Sequence, residues 1–342
     1  MSRILITGAA GFIGSQLAYN LWKSGEEVTL LDDFSYGKED NLIFDEIDFR
    51  DTIIKMDVCD RKGIKDLFEE KKFDYVYHIA AITPLPDCQT YPARAVEVNV
   101  AGTVNILENA RFFGTKNVIF SSTSAVYENN EVFPTKETDE VDPNLIYSSG
   151  KYMAELLCRN YVNTYHMNVT VLRFANVYGP HIDCLRTQPP VAGYLIREYF
   201  YDRAPILHST GDQQRDFIYV DDLIDLAIRV MNNTGFDRVN VSSNTTHSIN
   251  EMDKIIAKIM NKENLVAEHA DPDHFWVNYP NLYEGAYPIS REVLVAEVLK
   301  HTECDNTHAK EKFGWEPKVD FEEGLRRTVD FSVKKLTERD SK

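Results

Sequence analysis

Cysteine is scarce in this chain of 342 residues. The five that occur, Cys59, Cys88, Cys158, Cys184 and Cys304, are odd in number, scattered and without a CxxC pair. That pattern excludes a disulfide frame and a zinc site, and it fits reduced thiols in the cytoplasm. Long apolar runs are missing too, none approaching the roughly 20 residues of a membrane-spanning helix. Met1-Ser2-Arg3 runs straight into a strand, leaving no room for a signal peptide, and a cytoplasmic location is expected. Basic residues are outnumbered: 37 Lys and Arg against 54 Asp and Glu leave a net charge of −17. Such a field argues against nucleic acid or an anionic membrane as a partner. It does not argue against a phosphorylated substrate, which needs only a local basic site. No low-complexity linker and no internal repeat interrupts the chain. With 43% hydrophobic residues, its length suffices for one large domain or two unequal ones.

What is present is an alternation of strand and helix. Residues 3–7 (RILIT) are a short, apolar, β-branched run, followed by Gly8-Ala9-Ala10-Gly11-Phe12-Ile13-Gly14. Apolar residues then recur at helical spacing to Lys23, and Gly25 closes the helix. In such a unit Gly8 permits the tight turn and Gly11 lets the backbone approach a pyrophosphate. Gly14 lets helix and strand pack closely, and the helix N-terminus offers its N–H groups to the phosphates. The spacing is Gly-x-x-Gly-x-x-Gly, not the more familiar Gly-x-Gly-x-x-Gly. A second strand over 27–31 ends in Asp32-Asp33, about twenty positions beyond the loop, where a ribose 2′-hydroxyl would be held. A carboxylate there repels a 2′-phosphate and favours NAD over NADP; Asp33 reads equally as a solvated loop acid.

Further strands are predicted over 52–56, 75–79, 117–120 and 168–174. Their carboxyl ends carry Asp57-Val58, an adenine contact, and Ala80-Ala81, small enough for a cofactor to lie against backbone. The 117–120 strand is followed by Ser121-Ser122-Thr123-Ser124, either a site cluster or a set of turn and cap hydroxyls. His78 reads as a packed strand residue. A long amphipathic helix over 92–113 contains Asn99, which either reaches the cofactor or bonds locally. The steady alternation predicts an α/β, doubly wound parallel sheet (Rossmann) with helices on both faces.

A helix beginning near Tyr147 carries Tyr147-Ser148-Ser149-Gly150-Lys151. Residues four apart share one face, so the phenol and the ammonium can point into one site. An unperturbed phenol, with a pKa of about 10, is a poor base at neutral pH, and a cation beside it favours the phenolate. After Tyr178-Gly179-Pro180 the texture changes. Helices are predicted over 191–201, 248–260 and 321–333, a strand over 238–241, and an irregular surface or lid segment over 271–287. Residues 1–179 are expected to form the NAD-binding domain, with 216–243 returning to it, and 180–342 a smaller C-terminal α/β substrate-binding region.

Taken together these residues resemble the extended short-chain dehydrogenase/reductase family, in particular its nucleotide-sugar epimerases and dehydratases. The resemblance runs almost end to end: TGAAGFIG at 7–14, Asp32, Asp57-Val58, HIAA at 78–81, the hydroxyl cluster at 121–124 and YSSGK at 147–151. It continues through LRFANVYGP at 172–180, GDQQRDFIYVDD at 211–222, and FGWEP with the following EEGL. It implies a catalytic trio of Thr123, Tyr147 and Lys151, the tyrosine taking a proton from a sugar hydroxyl. It assigns Gly8, Gly11, Phe12, Ile13, Gly14, Asp32, Asp57, Val58, Ala80, Ala81, Asn99, Ser121 and Phe174, with Tyr147 and Lys151, to the NAD cofactor. Thr83, Asn176, Arg215 and Arg291 fall to a nucleotide-diphosphate sugar, the guanidinium forks suiting its diphosphate. The spacing around Arg291 departs from the family.

Family members that eliminate water carry Asp-Glu after the catalytic threonine, and decarboxylating relatives keep a glutamate at the second of those positions. Here the residues are Ser124-Ala125, and alanine can be neither acid nor base. The expected activity is therefore NAD-dependent 4-epimerisation of a nucleotide sugar through a transient 4-keto sugar. A one-way 4-dehydrogenase or 4-keto reductase is the alternative, ahead of a 4,6-dehydratase or decarboxylase and of a non-catalytic dinucleotide sensor. Relatives pair through two helices each, so a homodimer is expected through about 93–113 and 147–166, with Phe112, Leu156 and Tyr161 facing outward.

Overall fold

The computed structural model describes residues 1–341. The first strand, β1 (Arg3–Thr7), leads through the glycine turn into α1 (Phe12–Lys23), and β2 (Glu27–Asp32) follows. A long connection reaches β3 (Ile54–Lys55), then α2 (Arg61–Lys71), whose N-cap Asp60 accepts the Gly63 amide, and β4 (Tyr75–His78). Next come α3 (Leu85–Thr90), α4 (Pro92–Val96) and α5 (Thr103–Phe113), then β5 (Asn117–Thr123), α6 (Ile146–Tyr165) and β6 (Val169–Phe174).

Seven strands form one parallel sheet. Along β1 the side chains alternate, and those of Ile4 to Thr7 are fully buried. Ile4 and Ile6 join Leu17 and Leu21 of α1 on one face. Leu5 joins Phe68 of α2, Leu107 of α5 and Cys158 of α6 on the other. A strand apolar on both faces belongs in a sheet covered by helices on both sides, and that is the doubly wound fold expected.

The rest of the chain begins with β7 (Asn176–Tyr178), α7 (Val191–Phe200), β8 (Ile206–Leu207) and β9 (Gln214–Tyr219). It continues with α8 (Val220–Arg229), β10 (Phe236–Val241), β11 (Thr246–Ser248), α9 (Ile249–Ile259) and β12 (Glu268–His269). Three helices end it: α10 (Arg291–Leu299), α11 (Thr307–Phe313) and α12 (Phe321–Asp340). The large sheet runs β10-β6-β5-β4-β1-β2-β3, so β10 lies beside β6 at one edge. A small sheet of β11, β9 and β7, and a two-stranded one of β12 and β8, belong to the second region.

Several boundaries differ from those expected. The third strand shrinks to Ile54–Lys55, which pairs only with the end of β2 at the sheet edge. The helix over 92–113 is wound as a π-helix through Glu97–Gly102, where Asn99 bonds twice to the Ile82 backbone. Helix α12 runs past residue 333 because buried Leu336 continues the stripe of Leu325, Val329 and Ser332. The stretch 271–287 holds two 3₁₀ turns, Pro272–His274 and Pro280–Tyr283. Its Trp276 and Leu282 form an apolar cluster with Leu145 and Leu294. Among the described residues no helix is long and apolar enough to cross a membrane.

One buried ion pair fixes α6 against the sheet. Arg173 on β6 donates to Glu155 on α6 through Nε (2.9 Å) and Nη2 (2.6 Å), with side-chain exposures of 0% and 2%. The same carboxylate accepts the Ser122 hydroxyl of β5, and Arg173 Nη1 donates to the Tyr127 hydroxyl at 2.6 Å. Glu155→Ala should leave the guanidinium buried and uncompensated and lose about 3–5 kcal/mol in urea unfolding. The double variant Glu155→Leu/Arg173→Met should recover most of that loss; if it does not, the missing charge partner is not the cause.

Candidate active site

The carboxyl ends of β1, β2, β4, β5 and β6 open onto one cleft of about 560 Å³, a size typical of small-molecule sites. At its floor the glycine turn is sterically closed to side chains. Gly8 has φ +71°, and a Cβ there would lie 2.7 Å from the Ala80 nitrogen. A Cβ on Gly14 would fall 2.1 Å from the Gly8 carbonyl oxygen. Gly11 caps α1 without a side-chain oxygen, so the first amides of the helix are left to an anion in the cleft.

Asp32 stands at the end of β2 with its carboxylate held by two amides, Ala10 N at 2.9 Å and Phe34 N at 2.8 Å. Burial pushes this carboxyl up, and the two amides oppose the shift. Farther out, Asp57 accepts from the Cys59 amide (2.8 Å) and from Arg94. Arg94 also reaches Glu97 at 2.7 Å.

At the opposite end the first turns of α6 meet the tip of β5. Tyr147 lies beside Thr123 in the cleft, and the Thr123 oxygen accepts the Ala125 amide at 3.1 Å. Burial pushes the phenol up to about 12, opposed by the Thr123 hydroxyl and by the charge of Arg186. Lys151 is buried and donates to the Ser121 carbonyl at 2.6 Å, its ammonium 4.8 Å from the centre of the Phe120 ring. Burial brings it down to about 8. The expectation that Lys151 directly lowers the phenol pKa is thus corrected for the protein alone: the ammonium is turned to backbone, and burial dominates the phenol. His78 is packed as expected, between Thr7 (2.8 Å) and Thr103 (3.1 Å), and burial holds it down at about 3.

Every residue singled out from the sequence lines this one cleft except Asn99, Arg215 and Arg291. The Asn99 amide takes the local option, accepting from Ile82 N (2.8 Å) and donating to Ile82 O (2.9 Å). Arg215 is anchored through Nη2 to the Glu297 and Val298 carbonyls, at 3.0 and 2.9 Å. Its Nη1 is buried without an acceptor among the described residues. Arg291 is corrected to a surface residue, paired with Asp273 at 2.5 Å. Asn176 donates to the Asp216 carbonyl at 2.8 Å and to Thr302 at 3.3 Å.

Tyr36, Lys38, Arg94, Arg186, Lys335 and Arg339 also line the cleft and were not foreseen. Tyr36, Lys38 and Arg186 sit on connections without periodicity, whereas Arg94 is on α4 and Lys335 and Arg339 are on α12. The basic side chain of Arg186 amid the prolines of its loop was the one signal available. Among the described residues no cluster of metal-ligating side chains occurs.

The profile of the NAD dependent epimerase/dehydratase family matches residues 4–242. The chain belongs to that family. It is 31% identical to a UDP-glucose 4-epimerase of Mycolicibacterium smegmatis, over 96% of this chain and 98% of that one. It is 29% identical to a UDP-glucuronic acid decarboxylase 1 of Xenopus tropicalis, over 98% of this chain and 73% of the relative. A solved UDP-glucose 4-epimerase from Thermotoga maritima, bound to UDP-glucose, superposes with a TM-score of 0.86 at 30% identity, covering 98% and 99% of the two chains. The cofactor of this epimerase/dehydratase-type enzyme is NAD, and the glycine turn fits a dinucleotide.

With a carboxylate fixed at the end of β2, a 2′-phosphate meets repulsion. Titration of the cofactor-stripped enzyme should show NAD binding at least about 100-fold more tightly than NADP, and Asp32→Ala should narrow the gap. Equal affinity for the two would remove Asp32 from the cofactor's ribose.

Proposed function

We propose that this family member is a nucleotide-sugar 4-epimerase working through a transient 4-keto sugar. The observation that carries the reading is Tyr147 beside Thr123 in the cleft, one helical turn from Lys151, with alanine two residues past Thr123. Tyr147 takes the proton of the C4 hydroxyl and later returns it. Thr123 hydrogen-bonds the same oxygen and holds it against the phenol. Lys151, fixed by Ser121, orients the ribose beside them. Bound NAD supplies hydride acceptance and return. Ala125 offers no proton donor or acceptor for loss of water or of carbon dioxide. The unpaired Nη1 of Arg215 supports an anion contact, with Asn176 nearby on the paired strand, and the diphosphate is the group that would take it.

Tyr147→Phe keeps the ring and removes the proton acceptor, so turnover should fall by about 10²–10⁴. The assay is 4-epimerisation across a panel of UDP-, GDP-, CDP- and dTDP-sugars, with folding checked by circular dichroism. A folded variant running near the parent rate would sink the assignment, and net NADH formation would instead mark a one-way dehydrogenase.

We also infer a homodimer through α5 and α6. Phe112 on α5 is 68% exposed, and Met153, Leu156 and Tyr165 on α6 are exposed too. Tyr161, expected to face outward, bonds instead to Glu108 at 3.0 Å. Light scattering at micromolar concentration should return a dimer, and Leu156→Arg should shift it to monomer; a parent monomer would refute the interface.

A further inference from the structure

Helix α6 begins without a cap of its own, since its N-cap residue, Leu145, has no side-chain oxygen. The donors around that first turn are met from other parts of the chain. Glu128 Oε1 accepts the Leu145 amide at 2.9 Å, the Ser148 hydroxyl at 2.9 Å and the Asn144 amide. Gln89 on α3 accepts the Ile146 amide at 3.2 Å. Tyr147 therefore sits on a turn whose neighbours, Leu145, Ile146 and Ser148, are each held from outside the helix.

Glu128 is in turn fixed to the strand tip that carries Thr123. Thr123 Oγ1 accepts the Ala125 amide at 3.1 Å and opens the 3₁₀ turn Ser124–Tyr127. The Glu128 amide closes that turn by donating to the Ala125 carbonyl at 3.1 Å. The next two residues grip the returning chain. Asn129 donates to the Asp142 carbonyl at 2.6 Å, and Asn130 to the Glu140 carbonyl at 3.1 Å. Asn144 donates back to Asn129 at 3.2 Å. Without these ties the excursion from Thr123 to Tyr147 would have the freedom of a long loop. With them, hydrogen bonds run from Thr123 through Ala125 and Glu128 to the first turn of α6.

We propose that Glu128 is a positioning residue, holding the Tyr147 hydroxyl against Thr123 by fixing the start of α6 to the tip of β5. Glu128 stands outside the cleft lining, so it acts through the helix and not on a ligand. A carboxylate suits the task, because one oxygen accepts several donors and its charge favours the amino end of a helix. The Arg173–Glu155 pair sets α6 on the sheet farther along, and Glu128 sets its first turn. The proposal rests on the reading above in one respect, that Tyr147 is the base.

Hydrogen–deuterium exchange over residues 144–149 and C4 inversion of the UDP-, GDP-, CDP- and dTDP-sugar panel, both on the NAD-loaded full chain, test it. Exchange in that segment should be at least about tenfold faster in Glu128→Ala, where the bound donors lose their acceptor. Its kcat should fall about 10–100-fold, the cost of a misplaced reacting group, with KM and NAD affinity within about threefold of wild type. Glu128→Gln, which keeps an accepting oxygen, should recover most of the loss, and Glu128→Asp, which withdraws it by one methylene, should not. In a Tyr147→Phe background Glu128→Ala should cost less than about threefold more, because its effect passes through the phenol. Unchanged exchange, a kcat near wild type, or an equal loss in both backgrounds overturns the proposal. If Glu128→Ala does not fold, Glu128→Asp is held to the same outcomes. If the wild type inverts no sugar of the panel, the epimerase reading fails and exchange alone decides whether Glu128 holds the turn.

Discussion

Placement of the proposed reacting groups depends on the buried pair between Arg173 and Glu155. Tyr147 and Lys151 are carried by α6, whereas Ser121 and Thr123 are carried by β5, so their meeting requires one register between helix and sheet. Apolar packing alone sets such a register loosely, because a helix can slide on a layer of leucines and valines at little cost. A carboxylate gripping β6 through Arg173 and β5 through Ser122 cannot slide without leaving charge unpaired in the interior. The cost of that failure, several kcal/mol for a broken buried pair, confines α6 to one position. Glu155 is one helical turn beyond Lys151, so the clamp and the site share a rigid segment.

A second constraint acts where chain meets cofactor. The Gly8, Ala80 and Gly14 backbones approach so closely that no Cβ fits between them. That closeness brings the amino end of α1 to the strand tips, where its uncapped amides can take phosphate oxygens. The same tips supply Asp32 on one side and Thr123 on the other, so on the proposed reading a dinucleotide would lie across the sheet from the acid toward the phenol.

Much of this was legible in the chain because its causes are local. A glycine turn between an apolar strand and an amphipathic helix declares itself in fourteen residues, and Tyr147 and Lys151 are joined by one helical turn. The order of strand and helix likewise predicted the parallel sheet. The reading weakened where causes were distant. Whether Asn99 faces a ligand or Ile82 depends on a contact across 17 positions. Arg291 looked like a phosphate ligand until Asp273, 18 positions away, was seen beside it. Arg186 has no periodic neighbour at all, and its place on the cleft arises only when loops from three parts of the chain converge around it.

The electrostatics of the cleft set a condition on the proposed base. In the protein alone burial raises the phenol and lowers the ammonium, which is what desolvation does to each charged form. A phenol near 12 stays protonated at neutral pH, and Lys151 is directed at a carbonyl. Neither group by itself solves the problem of a base in a dry cleft. A phenolate there needs donors and positive charge arranged in advance, and Thr123 and Arg186 already oppose the effect of burial. Ligands that close the cleft expel water and strengthen each of these interactions. On the proposed function, Tyr147 is protonated in the empty cleft, and its service as a base requires the donors and positive charge that a bound ligand would complete.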